Sequence, residues 1–435
     1  MSPIEIGFLG VGAVLLLMAL RLPIGIALAG VSFLGLWAVT NLTAAWGLVR
    51  AVPYEFIATW SFSAVPMFLL MGYIASHAGL TSGLFRSMRI LLAGVPGGLA
   101  CATVGACALF AAASGSSVAT AAAMARIAVP EMIRHRYDRA LATGCVAAAG
   151  TLGSLIPPSI LMVLYGVFTQ QSIGKLFVAG FLPGLLSAVV YMAMIVTRVS
   201  ITPSLAPRAA AAAAPGELRD ALREIWPLPL LILGVLGGIF TGVMTPTEAG
   251  AVGAFIAVLI AAVRGRLSRA MLRGALRDTA MGTSVIFVIA MGASMFTTFM
   301  GLTRLPTTVA EAMLSVGDDP LLLVVMIGVI FVILGMFIDS IGLMLLTLPI
   351  MMPLLDRAGV DMIWFGILVI KLLEIGLVTP PVGLNVYVIK SALGGLVELP
   401  TVFRGAAWFI VMDLVTLALL IAFPAISLWL PSLMD

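Results

Sequence analysis

The sequence predicts an all-α polytopic membrane protein made of two inverted repeats of about five spans each, plus two re-entrant helical hairpins. Three observations predict this fold. Of the 435 residues, 62% are hydrophobic and only 10% are charged, whereas a soluble domain carries about a quarter charged residues. Apolar stretches long enough to cross a bilayer recur along the chain. Short motifs of the first half return in the second half at a nearly constant spacing.

The apolar stretches define the spans, because a transmembrane helix needs about 20 predominantly apolar residues. The predicted spans are 4–20, 23–39, 55–77, 141–165 and 173–197 in the first half, and 226–241, 247–263, 279–300, 362–390 and 406–430 in the second. A polar, alanine-rich segment separates the two sets. The predicted division is therefore a first repeat at 1–197, a cytoplasmic loop at 198–224 and a second repeat at 225–435.

Two apolar segments, at about 95–133 and about 320–355, are interrupted near their middle. The interruptions are ASGSS at 113–117, here called the first tip, and GMFIDS at 335–340, the second tip. Each half-segment is too short to cross a bilayer alone. Irregular backbone at membrane depth persists only where it faces protein or a wet cavity. The pattern therefore predicts two helical hairpins that enter the membrane and return.

The halves of the chain repeat each other. The segment GSLIPP at 153–158 corresponds to GLVTPP at 376–381, an offset of 223 positions. The same offset pairs Ser116 with Asp339 and Ser117 with Ser340. One match alone has little weight, but a constant offset across tip and Pro-Pro motif indicates duplication. The Pro-Pro motifs predict broken helices at about 138–165 and about 361–391.

Basic residues predict the orientation, since short cytoplasmic loops are enriched in Lys and Arg. Arginines cluster at the base of the first hairpin, in the central loop and in the segment before the span at 279–300; they are Arg134, Arg136, Arg139, Arg198, Arg208, Arg219, Arg223, Arg264, Arg266, Arg269, Arg273 and Arg277. The base of the second hairpin has no positive excess. The repeats are therefore predicted to be inverted, with both termini periplasmic, in a bacterial inner membrane.

The Pro-Pro motifs have a chemical consequence. Proline removes a backbone donor and clashes with the preceding turn, so segments 151–158 and 374–381 are predicted to unwind. Unwinding frees carbonyl oxygens for a cation and directs half-helix N-termini at an anion. The alternative is a kink without a ligand. The residues predicted to contact the substrate are Gly115, Pro157, Pro158, Pro380, Pro381 and Asn385.

The tips add side-chain oxygens, and each tip is expected beside the break of its own repeat. This predicts at least two sodium sites. The predicted ligands are Ser114, Ser116, Ser117, Thr151 and Gly153 in the first site, and Asp339, Ser340, Gly376 and Thr379 in the second. The serines have an alternative role in close helix packing. Asp339 is the stronger candidate, because a mid-membrane carboxylate costs about 3 kcal/mol to insert.

Other polar residues in the spans receive weaker interpretations. Lys371 and Glu374 lie three apart on one helix and are expected to form a buried ion pair, with direct substrate contact as the alternative. Asn385 faces the cavity or bonds a neighbouring helix, with equal weight, and Asp413 has no evident partner. With only two histidines, no nucleophile elbow and no phosphate loop, the sequence argues against an enzyme. The net charge of +4 is spread over short loops, which excludes a nucleic-acid surface.

Five motifs in order resemble the large membrane subunit of tripartite ATP-independent periplasmic (TRAP) transporters. They are VPMFLLMG at 65–72, ASGSSVATA at 113–121, AGTLG at 149–153 running into IPPS at 156–159, TPTEA at 245–249, and TPPVGLN at 379–385. Together they cover nearly the whole chain. Lys371 departs from the pattern, since a neutral residue is expected there, so the second site is expected to differ in detail.

The resemblance implies a sodium-coupled, elevator-type importer of a small organic anion, most often a carboxylate. The implied partners are a small four-helix membrane subunit, a periplasmic solute-binding protein and the surrounding lipid bilayer. No hydrophobic block precedes Ile4, so the small subunit is expected on a separate chain. Two alternatives stay open at this point: a self-sufficient sodium/dicarboxylate or inorganic-anion symporter, and a membrane-embedded enzyme.

Overall fold

The computed structural model describes residues 1–207, 216–317 and 319–434. All regular elements in these residues are helices. Arg208 and the rest of 208–215, part of the predicted cytoplasmic loop, lie outside the described residues. The first-half helices are α1 (Pro3–Ala19), α2 (Ile24–Val39), α3 (Leu42–Ile57), α4 (Ala64–His77), α5 (Leu80–Leu91), α6 (Gly98–Ser114), α7 (Ser117–Arg134), α8 (Arg139–Leu155), α9 (Ile160–Thr169) and α10 (Ile173–Ile201).

The remaining helices follow the central loop. They are α11 (Glu217–Ile225), α12 (Pro227–Phe240), α13 (Pro246–Val263), α14 (Arg269–Thr303), α15 (Leu305–Leu314), α16 (Pro320–Gly335), α17 (Ser340–Arg357), α18 (Met362–Val378), α19 (Leu384–Leu393), α20 (Leu399–Ala422) and α21 (Ala425–Leu428). Short 3-10 turns lie at Trp60–Ser63, Pro203–Leu205, Gly394–Leu396 and Pro431–Leu433.

The helices confirm the predicted all-α membrane architecture. Five of them, α10, α13, α14, α17 and α20, are long and apolar enough to cross a membrane. Two bent pairs raise the number to seven if each counts as one span: α3 with the segment Trp60–His77, bent by 59°, and α8 with α9, bent by 41°. Several predicted spans are thus shorter or bent helices, because length and hydropathy along the chain do not reveal where a helix breaks.

Three span predictions need correction. The predicted span 55–77 is not one helix, since α3 ends at Ile57 and α4 begins only at Ala64. The amphipathic helices α5 and α15 were not predicted, because neither is a continuous apolar run. Helix α14 starts ten residues before the predicted 279–300: Ser268 caps it by accepting the Met271 amide at 3.1 Å. The first turns of α14 contain several charged residues. Such residues form helix but lower the hydropathy, so a boundary based on hydropathy falls too late.

The unwound segments are shorter than predicted. Helix α8 continues through Leu155 and α18 through Val378, so Thr151, Gly153 and Gly376 remain helical. Proline disfavours the helical conformation of the residue before it and removes one helical hydrogen bond, so residues further upstream are able to stay helical. The first break is therefore 156–159 and the second break 379–383. Because Pro157 and Pro158 have no N–H, the carbonyls four residues earlier lose their helical donors.

The two hairpins share their local geometry. Gly115 joins α6 to α7 with a φ of 61°, a left-handed conformation that glycine adopts without strain. Ser116 is the N-cap of α7 and Asp339 is the N-cap of α17. These positions are 223 apart, as are Arg136 and Gly359, whose φ angles at the far ends of the hairpins are 60° and 65°. The two hairpins thus match at these positions, whereas the duplication of the halves and the opposite entry of the hairpins stay predictions.

The helices form two groups by packing. In one group α14 packs along α2, α3 and α4, and α13 packs on α4. In the other, α6, α7, α9 and α20 pack on α8, α18 packs on α20, and α16, α17 and α19 pack on α18. The backbones of α8 and α20 touch at Gly144 and Gly405, where added Cβ atoms would collide with main-chain atoms. Small residues permit this close approach in a membrane protein. The second group therefore holds both hairpins and both broken helices.

Candidate ion and substrate site

Both tips open onto one cavity of about 640 Å³ between the two helix groups. The wall formed by the hairpins contains Ser114, Gly115, Ser116, Ser117, Asp339 and Ser340. The opposite wall comes from α4 and α14 and includes Tyr73, Ser76 and Asp278. The sequence predicted each tip beside its own break. The structure adds that the tips share a single space.

The first tip contacts the end of α8 through side-chain hydroxyls. Ser117 donates from Oγ to the Thr151 carbonyl at 3.1 Å, and its Oγ lies 2.5 Å from Ser154 Oγ. Ser114 Oγ lies 2.7 Å from Thr120 Oγ1. Five oxygen-bearing residues therefore lie in one small region, most of them buried. Oxygen-rich groups of this kind suit a hard cation.

Glycine permits this approach. A Cβ on Gly153 would lie 2.7 Å from the Ser116 carbonyl oxygen, which is inside normal contact distance. The residues predicted for the first site are thus brought together. Among them, Thr151 turns its own hydroxyl back to the Ala148 carbonyl at 2.7 Å, so only its carbonyl faces the tip. Ser154 and Thr120 belong to the same group, and the sequence prediction missed their side chains.

The second tip carries a carboxylate and an unpartnered hydroxyl. Asp339 Oδ2 accepts the Gly342 amide at 3.0 Å, as an N-cap does. Ser340 is only 9% exposed and its Oγ has no hydrogen-bond partner among the described residues. Both residues line the cavity. A buried hydroxyl without a partner is uncommon, so this oxygen is available to a ligand.

The second break is arranged more loosely than the first. Gly376 approaches the end of α16 so closely that a Cβ would lie 2.8 Å from Gly335 main-chain atoms. Thr379, however, donates its hydroxyl to the Ile375 carbonyl at 2.6 Å, and neither Gly376 nor Thr379 lines the cavity. The structure places these two predicted ligands beside the second hairpin without joining them to Asp339.

Of the six residues predicted to contact substrate, only Gly115 lines the cavity. Pro157 and Pro158 are buried behind the first tip, whereas Pro380 and Pro381 are exposed on the second break. Asn385 is fully buried and donates from Nδ2 to the Ala147 carbonyl at 3.4 Å. Of the two interpretations of Asn385, the structure therefore supports the hydrogen bond to a neighbouring helix, since Asn385 does not line this cavity.

The cavity has an acidic lining. Its charged residues are Asp278 and Asp339, and no Lys or Arg belongs to the described wall. Asp278 accepts from His77 Nε2 at 2.8 Å, which joins α14 to the end of α4. Asp278 lies one residue before the predicted span at 279–300, and its position after Arg269, Arg273 and Arg277 is a sequence signal that could have identified it. An anion in this cavity would need cations, hydroxyls or backbone amides for recognition.

The predicted pairing of Lys371 with Glu374 is confirmed, at 3.3 Å between Nζ and Oε2. Asp413, which had no predicted partner, lies 2.6 Å from the same ammonium. Ser187 Oγ accepts from Lys371 at 3.2 Å, and the Tyr191 hydroxyl donates to Asp413. All three ionisable groups are inaccessible to solvent. Asp413 was missed because its partners come from another helix.

Comparison with known proteins decides the family. The family model described as "Tripartite ATP-independent periplasmic transporter, DctM component" matches residues 11–426. This chain belongs to that family. The resemblance stated from five motifs is therefore confirmed over nearly the full length, and the chain is a multi-pass membrane protein of the TRAP transporter family.

Curated relatives carry transporter names. The C4-dicarboxylate TRAP transporter large permease protein DctM of Pseudomonas aeruginosa is 36% identical over 390 residues, covering 88% of this chain and 90% of that protein. The sialic acid TRAP transporter large permease protein SiaM of Vibrio cholerae is 33% identical over 378 residues, with 87% of each chain covered. These names describe permeases, which confirms the prediction that the DctM-family chain is not an enzyme.

One relative is longer. The isethionate TRAP transporter permease protein DctMQ of Oleidesulfovibrio alaskensis is 35% identical over 396 residues, and the match spans 87% of this chain but 60% of that protein. Among solved structures, the YdaH transporter of Alcanivorax borkumensis superposes with a TM-score of 0.62 at 14% identity, covering 89% of this chain and 90% of that one. MtrF of Neisseria gonorrhoeae gives a TM-score of 0.52 at 14% identity. At such identities the likeness shows the fold alone.

Proposed function

We propose that this DctM-family chain carries out sodium-coupled import of a small organic anion of the carboxylate class, received from a periplasmic solute-binding protein. A small four-helix membrane subunit is its expected membrane partner. The observation that supports the proposal most directly is the single cavity onto which both hairpin tips open. Relatives named for C4-dicarboxylate, sialic acid and isethionate transport support an acidic substrate class.

The acidic lining explains why sodium and an anion would bind together. A cavity whose only charged wall residues are Asp278 and Asp339 repels an anionic substrate. Sodium ions at the tips would reverse that local potential. The amides at the start of α7 and α17, together with the tip hydroxyls, would then bind the carboxylate. Substrate affinity would thereby depend on sodium without any basic side chain.

The first sodium is proposed at Ser114, Ser116, Ser117 and the end of α8. Ser117 already contacts the Thr151 carbonyl. The Gly153 and Ser154 carbonyls have no helical donor, because the residues four positions later, Pro157 and Pro158, have no N–H. The second sodium is proposed at Asp339 and the unpartnered Ser340 hydroxyl. Gly376 and Thr379 would join the second site only after a rearrangement that frees the Thr379 hydroxyl from Ile375.

The proposed division of the molecule follows the two packing groups. The hairpins, broken helices, α10 and α20 form the moving unit of an elevator, and α2, α3, α4, α13 and α14 form the fixed support. The cavity lies at the boundary between these groups. With the arginine-rich base of the first hairpin on the cytoplasmic side, both termini are proposed to be periplasmic.

Reconstitution tests the function. The chain is placed in proteoliposomes with a candidate small membrane subunit, and uptake of candidate carboxylates is measured under an imposed sodium gradient. Candidate binding proteins are added or withheld. Uptake that needs both the gradient and one binding protein is the expected result. Sodium-driven uptake without any binding protein would establish the self-sufficient symporter instead, and uptake indifferent to sodium would contradict the coupling.

A further inference from the structure

One histidine contacts the wall of the cavity. His77 is in the last turn of α4, and its Nε2 lies 2.8 Å from Asp278 Oδ2 on α14. Asp278 lines the cavity. The two side chains are 35% and 42% exposed, so water and protons reach the pair. Among the described residues, His77 is the one hydrogen-bond partner of the Asp278 carboxylate.

The packing of α4 against α14 fixes this contact. Residues four apart share a face of a helix, and Tyr73 and His77 form such a pair on α4. The matching face of α14 has Gly274, Asp278 and Gly282. A Cβ on Gly274 would lie 2.9 Å from Cε1 of the His77 ring, and one on Gly282 would lie 3.4 Å from the Tyr73 hydroxyl. The imidazole therefore rests on the α14 backbone, with Nε2 directed at the carboxylate.

The charge of the pair is decided by its own two residues. Helix α14 also carries Arg269, Arg273 and Arg277, but all three are exposed and lie on other faces of the helix than Asp278. Helices α6 and α9 pack on α4 without a charged side chain. The other ionisable groups on helices packed against α4 are the buried thiols Cys101 and Cys107 of α6, Tyr165 of α9, Arg86 and Arg89 of α5, which pair with Glu224 and Glu131, Glu248 at the start of α13 and Arg264 at its end.

The protonation state of His77 sets the charge of this wall. Histidine is the side chain whose charge ordinarily changes between about pH 5 and 8. With a neutral imidazole the pair carries the negative charge of Asp278, and with an imidazolium the pair is neutral. A cavity of about 640 Å³ has the size of a small-molecule site, so an anion inside it lies close to this wall. Repulsion of that anion therefore depends on the proton.

We propose that the His77–Asp278 pair is a proton-binding site coupled to the anion site: a proton on His77 cancels the charge of Asp278 and favours occupation of the cavity by an organic anion. The inference rests on the anion import proposed above. The coupling is reciprocal, so a bound anion also holds the proton on His77. Anion affinity should therefore rise as the pH falls through the titration of this imidazole.

Variants that fix the charge of the wall test this inference. Equilibrium binding of radioactive fumarate, pyruvate and N-acetylneuraminate is measured on the full chain in lipid nanodiscs with saturating sodium. The two conditions are about pH 6 and about pH 8, between which histidine changes charge and these anions stay ionised. The substitution His77→Gln keeps a donor beside Asp278 but cannot acquire a charge, so the wall stays negative. The double variant His77→Gln/Asp278→Asn keeps the wall neutral at both pH values.

His135→Gln is the matched control. His135 is the other of the two histidines in the chain. Its Nε2 also lies near a carboxylate, 3.3 Å from Glu131 Oε1, but neither residue lines the cavity. The control should keep the pH dependence of the wild type.

The wild type is expected to bind an anion about tenfold more tightly at the lower pH than at the higher one. His77→Gln should bind weakly at both pH values and the double variant tightly at both. A purely structural role of the pair predicts that the double variant binds no better than His77→Gln, and that result would overturn the proposal. So would a pH dependence that persists in His77→Gln or disappears in His135→Gln.

The wild type also separates this inference from the function. If it binds none of the three anions at either pH, the proposed carboxylate transport fails, and this inference falls with it. If it binds an anion equally well at both pH values, only the proton site fails. Thermal unfolding of each variant in the same nanodiscs should change little, because a partly exposed pair contributes little to stability, and it identifies any protein that is not folded.

Discussion

At the residue scale, the two tips differ in charge although they occupy equivalent positions. Ser116 caps α7 with a hydroxyl, and Asp339 caps α17 with a carboxylate. Both face the same cavity. The two hairpins thus share a capping geometry, although only the second carries a negative charge at that position. The equivalence makes each residue a useful reference for the other.

Asp339→Asn is expected to weaken sodium activation about tenfold, because it removes the charge and keeps the shape. Asparagine caps a helix about as well as aspartate, so folded protein should remain. A full charge moved across the membrane is worth about 2.3 kcal/mol per 100 mV, so the response of uptake to membrane potential should change too. Sodium dependence and voltage dependence of uptake are the measurements.

Asp319→Asn is the matched control. Asp319 caps α16, the other arm of the same hairpin, by accepting the Leu321 amide at 2.9 Å, and it is exposed. Its replacement should leave sodium activation unchanged. A salt bridge from Asp339 to Lys371 would be an alternative role for this carboxylate. The structure pairs Lys371 with Asp413 and Glu374 and not with Asp339. If Asp339→Asn and Asp319→Asn change sodium activation equally, Asp339 has only a capping role.

Ser116→Ala should raise the sodium concentration for half-maximal uptake several-fold, since one oxygen at the first tip is lost. The capping bond from the Ala119 amide is long, 3.4 Å, so the loss of folding stability should not exceed about 1 kcal/mol. Ser172→Ala removes a comparable cap at α10, where the Lys175 amide lies at 3.3 Å. If the two alanine variants behave alike in uptake, Ser116 has only a capping role.

At the element scale, close backbone contact holds each tip against its break. Gly153 meets Ser116, and Gly376 meets Gly335. These contacts fix the distance between freed carbonyls and tip oxygens. The hairpin and the broken helix therefore act as one unit, and the size of one side chain controls their separation.

Gly153→Ala should displace the first tip. The new Cβ would lie 2.7 Å from the Ser116 carbonyl oxygen, and overpacking of this kind costs about 1–3 kcal/mol. We expect reduced thermal stability and loss of the first sodium from binding isotherms. Gly237→Ala in α12 is the control, because its Cβ would meet no atom within 4 Å and alanine favours a helix. Equal effects at both positions would argue against a packed tip.

The hairpins are expected to enter from opposite faces. Arg134 and Arg357 are equivalent positions at the two hairpin bases, 223 apart, and both side chains are exposed, at 70% and 49%. In a background with Cys101, Cys107 and Cys145 replaced by alanine, Arg134→Cys and Arg357→Cys are treated with an impermeant thiol reagent on right-side-out vesicles. Only Arg357→Cys should react before lysis. Reaction of both from one side would end the inverted-repeat proposal.

At the scale of the whole molecule, the buried ion cluster joins helices from both halves. Lys371 on α18 reaches Asp413 on α20 and Ser187 on α10. The cluster therefore links the end of the first repeat to the second broken helix. It also explains how the chain accommodates Lys371 where a neutral residue was expected. The ammonium donates to Ser187 and Asp413 on neighbouring helices and to Glu374 on its own helix.

Lys371→Met should destabilise the fold strongly. Removal of one partner from a buried ion pair costs about 3–5 kcal/mol, because the remaining charges lose their compensation. Thermal unfolding in nanodiscs and the yield of folded protein measure the effect. Adding Asp413→Asn removes one of the two stranded carboxylates and should recover a large part of the loss. Full stability of Lys371→Met alone would show that the ion pair between Lys371 and Asp413 does not stabilise the fold.

The sequence by itself determined the membrane environment and the location of the tips, and it predicted the duplication. Hydropathy indicates whether a segment lies in lipid or in water. A motif that returns at a fixed offset indicates that two segments have a common origin. Both are properties of the chain that need no folding. The Lys371–Glu374 pair was also predictable, because residues three apart on a helix share a face.

Only the tertiary structure decided which polar groups meet. Residues far apart in the chain meet in four places: the shared cavity, its wall at Asp278, the contact of Ser117 with Ser154, and the partners of Asp413. The extent of unwinding was likewise a tertiary outcome. A proline nitrogen cannot donate the hydrogen bond to the carbonyl four residues earlier. The helices nevertheless continue through Thr151 and Gly376 up to the break, where both are closely packed. Local sequence specifies where a helix is able to break, whereas the contacts made by both sides of the break specify how far it unwinds.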